Sequence, residues 1–443
     1  MSVREGYKQT EIGVIPEEWE VVNLSDIANV NMGQSPKSAT YNEEGIGLPL
    51  IQGNADCKNR KTEPRIFTSE PTKTCSVGNI IMTVRAPVGA VVKSYHNACI
   101  GRGVCAITAK EDEAFLYQLL IDYEDKWEKL SQGSTFTAVN GTDVKSIKLP
   151  KPPLPEQQKI AAILTSVDNK IEVIDEQIAK TEALKKGLMQ KLLSEGIGHM
   201  RAVKSDDNCL SSVGSEPEAM CHGTADGFKE SEIGRIPKGW EVVRLGEVIG
   251  DVLGGVSVNS EDRSKNDNEI GILKTSAISM GKFYPEQHKT VIKSEYDRVA
   301  TNPLADHIIF SRMNTPNLVG ESGYVPDTYS DLYLPDRLWQ LSVSDKLRTY
   351  AKWLSYVLIS ERVKKILMKS ATGTSNSMKN ISKPNLLKIK IAHPSFSEQK
   401  QIATILSTTD NKLDTLREKK LRYEKLKKGL MQKLLTGEVR VNI

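Results

Sequence analysis

Cysteine is scarce and scattered. The six residues, Cys57, Cys75, Cys99, Cys105, Cys209 and Cys221, are spread over a chain of 443, and none stands in a CxxC pair or at the spacing of a zinc ribbon or finger. Cys209, Cys221 and His222 lie close together in a polar stretch, where free thiols in a loop are expected and a metal site is not. Long apolar runs are also missing, since none approaches the roughly 18 residues of a membrane span. The opening MSVREGYKQTEIG lacks the apolar core of a secretory signal. A cytoplasmic location with no membrane partner is therefore expected. Charge of one sign is not in large excess, because 60 Lys and Arg against 56 Asp and Glu leave +4. That balance permits nucleic-acid binding without arguing for it, which would need charge gathered on one surface.

Catalytic signatures are absent as well. There is no GxxxxGK[ST] phosphate loop, no helicase-type acidic box, no [ND]PP[YF] string and no glycine-rich cofactor loop at a strand-to-helix turn. A metal-dependent nuclease needs clustered carboxylates. The nearest strings, Pro326-Asp327, Pro335-Asp336 and Glu398-Gln399-Lys400, read as chance matches. His96, His288, His307 and His393 are isolated, which fits surface or core polar roles. No catalytic residue, cofactor or metal is predicted for this chain.

What is present is said twice. YKQTEIGVIPEEWEVVNLSDI at 7–27 returns as FKESEIGRIPKGWEVVRLGEV at 228–248. EQQKIAAILTSVDNKIEVIDEQIAKTEALKKGLMQKLL at 156–193 returns as EQKQIATILSTTDNKLDTLREKKLRYEKLKKGLMQKLL at 398–435, a constant offset of 242. The contents between these landmarks diverge strongly. Drift after duplication should not spare LKKGLMQKLL and IGxIPxxWEVV while erasing nearly everything between them. One scaffold carrying two specificities is the better reading.

In 156–193 the residues Ile160, Leu164, Val167, Ile171, Ile174, Ile178 and Thr181 fall at 4,3 spacing, the seam of a coiled coil. Pro152, Pro153 and Pro155 set its start. The second copy keeps the register at Ile402, Leu406, Thr409, Leu413, Leu416, Lys420 and Tyr423, after Pro394. Each helix would span roughly 57 Å. A lone helix with so narrow a stripe needs a partner. Because each copy leads from one variable region toward the other, the pair should run antiparallel about a pseudo-twofold axis. The runs 79–92 and 306–320 are expected to be β-rich, and short helices are expected at 113–130 and 345–368. The resulting fold is α+β. Its expected divisions are a first mixed domain (1–152), a first helix (153–195), a polar linker (196–227), a second mixed domain (228–394) and a second helix (395–443).

The order IGxIPxxWEVVxL, variable domain, PLPEQQKIAAIL…DNKI, long helix ending KKGLMQKLL, then all of it again, closely resembles the specificity subunits of type I restriction–modification enzymes. The resemblance runs from residue 7 to about 440, and the linker MRAVKSDDNCLSSVGSEPEAMCHGTADG is longer than the family's usual one. It implies two target recognition domains, each reading half of a bipartite, asymmetric site in double-stranded DNA. It implies helices that act as a spacer and dock two modification subunits. S-adenosylmethionine, ATP and magnesium would belong to those and to restriction subunits, and this chain would be non-catalytic. Rival readings are a coiled-coil assembly scaffold without base reading, and the detached recognition half of a single-chain restriction–methyltransferase.

Base edges in the major groove call for Arg, Lys, Asn, Gln and Thr. The candidates in the first domain are Lys58, Asn59, Arg60 and Lys61 of GNADCKNRK, Arg85 at the end of IIMTVR, and Ser134 and Thr135 in a polar loop. In the second they are Lys274, Arg312 and Asn314 of SRMNT, Thr374 and Asn376 of a polar loop, and Lys379. Arg85 and Arg312 are read as equivalent positions. Solvated turns are the alternative for KNRK and SNSMKN.

Overall fold

The computed structural model describes residues 4–127, 138–197, 227–316, 318–372 and 378–442. The chain divides into two compact units, residues 1–177 with 416–443, and residues 178–415. This differs from the linear order of domains and helices expected from the sequence. The long helices, Leu154–Leu192 and Phe396–Leu434, each outrun a domain, so each is shared between units. A unit thus owns a mixed domain, part of its own helix and part of the other.

Both units are built on the same six-stranded sheet. In the first unit the strand order is Ala28–Met32, Val104–Ala109, Ile80–Thr83, Val91–Lys93, Lys61–Thr62 and Cys57–Lys58. In the second it is Ile249–Gly254, Leu338–Val343, His307–Ser311, Ser322–Val325, Lys282–Phe283 and Ile278–Ser279. In each, the first four strands pair antiparallel, the fifth joins in parallel, and a tight hairpin ends the sheet. The central strands IIMT and HIIFS are apolar on both faces because both faces are covered. Alternation sends Ile80 and Met82 into the core shared with the helices and Ile81 into the core shared with a second sheet. Ile308 and Phe310 divide from Ile309 in the same way.

The expected β-rich runs contain strands Ile80–Thr83 and Val91–Lys93, and His307–Ser311 and Met313–Asn314. The helix expected at 113–130 spans Glu113–Asp122, capped by Asp112, whose carboxylate accepts from Phe115 N at 2.7 Å. The one expected at 345–368 is two, Ala351–Leu358 and Glu361–Ser370. Ser360 breaks it, since its hydroxyl caps the second piece by accepting from Val363 N.

On the first long helix Ile160, Leu164, Val167, Ile174 and Thr181 are buried. Within the first unit it lies against residues 416–434 of the second helix. Asp168 meets Lys427 at 2.7 Å and Asp175 meets Lys420 at 2.6 Å, so one number rises by seven as the other falls by seven. These segments are therefore antiparallel and pair one heptad at a time. In the second unit Lys185 meets Asp410 at 2.6 Å, and Ile197 N donates to Glu398 at 3.0 Å, again with opposite sense.

Candidate nucleic-acid interface

The landmarks that repeat in the sequence meet in each unit as one junction. The indole N–H of Trp19 donates to the buried Glu156 at 2.9 Å, and that of Trp240 donates to Glu398 at 2.9 Å. These are the W of IPxxW and the E of the EQ pair. The glutamine beside each glutamate turns back on the chain, Gln157 donating to Pro152 O and Gln399 to Pro394 O, both at 2.9 Å. The tail beyond each KKGLMQKLL closes the junction from the other side. Arg440 donates to both oxygens of Glu156, at 2.6 and 2.9 Å. Ile197 N donates to Glu398. Both tails turn at a glycine with φ of +73°, Gly437 and Gly196, and each glycine lies against the Trp–Glu element.

The duplicated DNK string, quoted in the sequence but given no role there, forms a second junction. Asp168 accepts from Gln118 Nε2 of the Glu113–Asp122 helix at 2.7 Å and pairs with Lys427. Asp410, at the equivalent place, accepts from the hydroxyl of Tyr356 at 2.8 Å and pairs with Lys185. Burial and the adjacent Asp410 carboxylate push the Tyr356 hydroxyl well above its ordinary range. One turn further on, Glu172 pairs with Lys61, and Asp414 with Lys282, whose Nζ lies 2.5 Å from each carboxylate oxygen.

The candidate reading residues fall into three groups. Lys58, Asn59, Arg60 and Lys61 form the sheet's terminal hairpin, with Asn59 at φ 48° and Arg60 at φ 62°, as a two-residue turn requires. Lys58 and Asn59 are exposed. Arg60 is turned back onto Val91 O at 3.0 Å and onto Glu124, and Lys61 onto the long helix. Lys274 follows a strand of the other sheet and pairs with Asp262 at 2.9 Å.

The third group lies, in each unit separately, where two segments of that unit pair. Exposed Arg85 bridges to Ala138, where the chain returns from 128–137. Asn314 sits opposite Lys379, where the chain returns from 373–377. Beside them Arg312 donates to Asp336 O at 2.8 Å and lies 5.6 Å over the Trp339 ring. Ser134, Thr135, Thr374 and Asn376 lie outside the described residues. Lys383, missed in the sequence, joins this group, its Nζ on Val252 O at 2.7 Å and 6.0 Å over Trp339.

Arg85 and Arg312 are not equivalent. Val139 N donates to Val84 O, and Ile381 N, 242 residues on, donates to Arg312 O. Arg312 therefore matches Val84, and Arg85 matches Met313. A shift of one residue along a strand changes the face a side chain occupies.

Two units of one topology, differing in their loops and fused through shared helices, define a duplicated recognition protein. The profile of the Type I restriction modification DNA specificity domain matches residues 16–183 and 237–424, and the chain belongs to that family. It is 27% identical to the MjaVIII specificity subunit of Methanocaldococcus jannaschii over 99% of this chain and 96% of that one. It is 40% identical over 193 residues to the candidate MjaX specificity subunit of the same organism, covering 42% of this chain and 45% of that protein. The fold is shared with a type I restriction–modification S subunit from M. genitalium, with TM-score 0.60 at 16% identity and 98% of both chains covered.

Proposed function

We propose that this chain is the DNA-specificity subunit of a type I restriction–modification complex, in which each unit reads one half of a two-part site. The observation that carries the reading is one sheet topology used twice with unlike sequence between the repeated landmarks, and with Arg85 paired to Ala138 in one unit where Asn314 pairs with Lys379 in the other. A scaffold without base reading gives no reason for those sequences to differ. Arg85, Asn314, Arg312, Lys379 and Lys383 are the reading set. Each well-made side-chain-to-base pairing contributes about 1–3 kcal/mol of discrimination.

The two long helices act as an antiparallel coiled-coil spacer and carry the docking sites for two modification subunits. Leu184 and Leu426 are about half exposed at equivalent positions, next to exposed Lys186 and Lys428. One partner type can therefore dock twice on the same chemistry. The chemistry then belongs to those partners, which hold S-adenosylmethionine, and to restriction subunits that use ATP and magnesium. Among the described residues no helix is long and apolar enough to cross a membrane, and no His, Cys, Asp and Glu group could hold a metal ion.

The test is a map of methylated sites in a cytoplasm expressing the complete complex. A two-part motif is expected, with Arg85→Ala relaxing one half and Arg312→Ala the other. A continuous motif, or methyl transfer by the purified chain alone, would refute the reading.

A further inference from the structure

We propose that the duplicated Asp-Asn-Lys-(Ile/Leu)-(Glu/Asp) element is a positioning site that fixes the tilt of each recognition domain on its helices, and so the gap accepted between half-sites. Its residues are Asp168 and Glu172 in one unit, Asp410 and Asp414 in the other. The inference rests on the two-part reading above.

The two carboxylates of each element stand four residues apart, hence on one face of the helix and about 6 Å apart along it. The first binds two bodies at once. Asp168 holds Gln118 of the recognition domain and Lys427 of the opposing helix. Asp410 holds Tyr356 and Lys185. The second holds the terminal hairpin of the six-stranded sheet, through Lys61 in one unit and Lys282 in the other. One contact between a domain and a helix leaves a hinge, whereas two contacts a turn apart define a line and remove the tilt.

The two units arrive at this arrangement with unlike parts. Gln118 and Tyr356 share no chemistry except a donor aimed at the same carboxylate. The hairpins are KNRK and SMGK, yet each places a lysine directly after a turn with positive φ at Asn59 and Arg60, or at Met280 and Gly281. Stability does not require the Glu172–Lys61 pair, whose side chains are 49% and 39% exposed, since ion pairs so placed contribute about 0–1 kcal/mol. In the Asp414–Lys282 pair the carboxylate is as exposed while the lysine is largely covered. Geometry is what these pairs supply, and geometry is what spacing between half-sites needs.

The experiment uses the full chain in its methyltransferase complex, with Lys61→Glu and Lys282→Glu combined, and a methylated-site map. The half-site sequences are expected to stay as in the parent. Gaps one base pair shorter or longer, which the parent marks about tenfold or more below its preferred gap, should come within about threefold of it. Charge-swapped chains, with Glu172→Lys and Asp414→Lys added, should return to the single gap. Neutral Lys61→Met with Lys282→Met, read by competition among oligoduplexes of graded gap, gives the same answer if the charge-reversed complex does not assemble. A single unchanged gap in the variants overturns the proposal alone, as does a broadened gap that the swap fails to restore. A parent complex that marks no two-part site overturns the underlying reading and this proposal with it.

Discussion

At Glu156 and Glu398 the two units keep the same acceptor and exchange the donor. Both carboxylates take a tryptophan N–H at 2.9 Å. The first then takes the guanidinium of Arg440, and the second takes the backbone N–H of Ile197 at 3.0 Å. Each arrangement satisfies a carboxylate withdrawn from water, fully at Glu156 and in part at Glu398. They differ in what happens when the second donor is lost, because a side chain can be deleted and a backbone amide cannot. The comparison separates what the duplicated scaffold demands, an acceptor for the indole, from what each copy has been free to solve by itself.

The glycines of the two tails give the largest expected difference. A Cβ on Gly437 would sit 2.4 Å from Pro16 Cδ and 2.5 Å from its Cγ, atoms of a ring that cannot move aside. A Cβ on Gly196 would meet the Glu398 carboxylate oxygen at 2.4 Å and Trp240 at 3.0 Å, and the carboxylate can swing away. Both alanines bear the left-handed strain of about 1–2 kcal/mol, but only the first adds overpacking of about 1–3 kcal/mol. Gly437→Ala should destabilise the first unit by about 3 kcal/mol, and Gly196→Ala should cost about half as much. Denaturant unfolding of the two variants checks this, and equal losses would remove the asymmetry.

Next in size is Arg440→Ala, which strands the buried Glu156 with the indole alone. Breaking a fully buried pair costs about 3–5 kcal/mol. A third of the Arg440 side chain is in water, so about 2 kcal/mol is expected. The partner mutation Glu156→Gln should recover part of it by removing the charge. An Arg440→Ala chain as stable as the parent would show that Glu156 has another route to water.

Much of this architecture was legible in the sequence, for identifiable reasons. The repeats coincide with contacts that the two units share: tryptophan to glutamate and the proline-led helix start. Ile160, Leu164 and Val167, picked out by their spacing, are buried, Ile160 and Leu164 in the core that the helix shares with the first domain. The candidate site was read less well. A basic string such as KNRK is silent about direction, and the hairpin turns Arg60 and Lys61 back onto carboxylates more than sixty residues away in the chain. The match of Arg85 with Arg312 failed by one residue, a shift that no pattern of apolar alternation in those short runs could detect. The DNK string shows no role in the sequence, because its partners Gln118 and Tyr356 lie in the parts of the chain that do not resemble each other.

The smallest expected effect comes from the residue just before each helix-start proline, where the units again diverge. The first has Lys151, partly exposed and paired with Glu111 at 2.8 Å. The second has His393, 5% exposed, with Nε2 3.1 Å from Thr349 Oγ1 and 3.2 Å from Gln399 Nε2, its ring edge-on to Trp353. The amide nitrogen of Gln399 can only donate, so the neutral ring accepts at Nε2, and a proton there would oppose it. Burial first, and the cation of Arg348 second, hold the His393 pKa below its ordinary value, with Glu241 working weakly the other way. A depressed folded pKa means that protonation favours the unfolded chain. The contribution is therefore complete above the ordinary histidine pKa of about 6.5 and is lost as pH falls through the lower folded value. Glu111 has its pKa lowered by Lys151 and then by Gln157, so its contribution is lost only below the ordinary carboxyl value of about 4.3. The second unit should loosen about two pH units before the first. Hydrogen exchange, corrected for intrinsic rates, should show residues 349–358 and 390–393 losing protection as pH falls below about 6.5 while 111–120 and 148–151 hold to about pH 4. His393→Gln should erase that step and leave the one in the first unit, whereas simultaneous loss in both units would mean that the two acid responses share another cause.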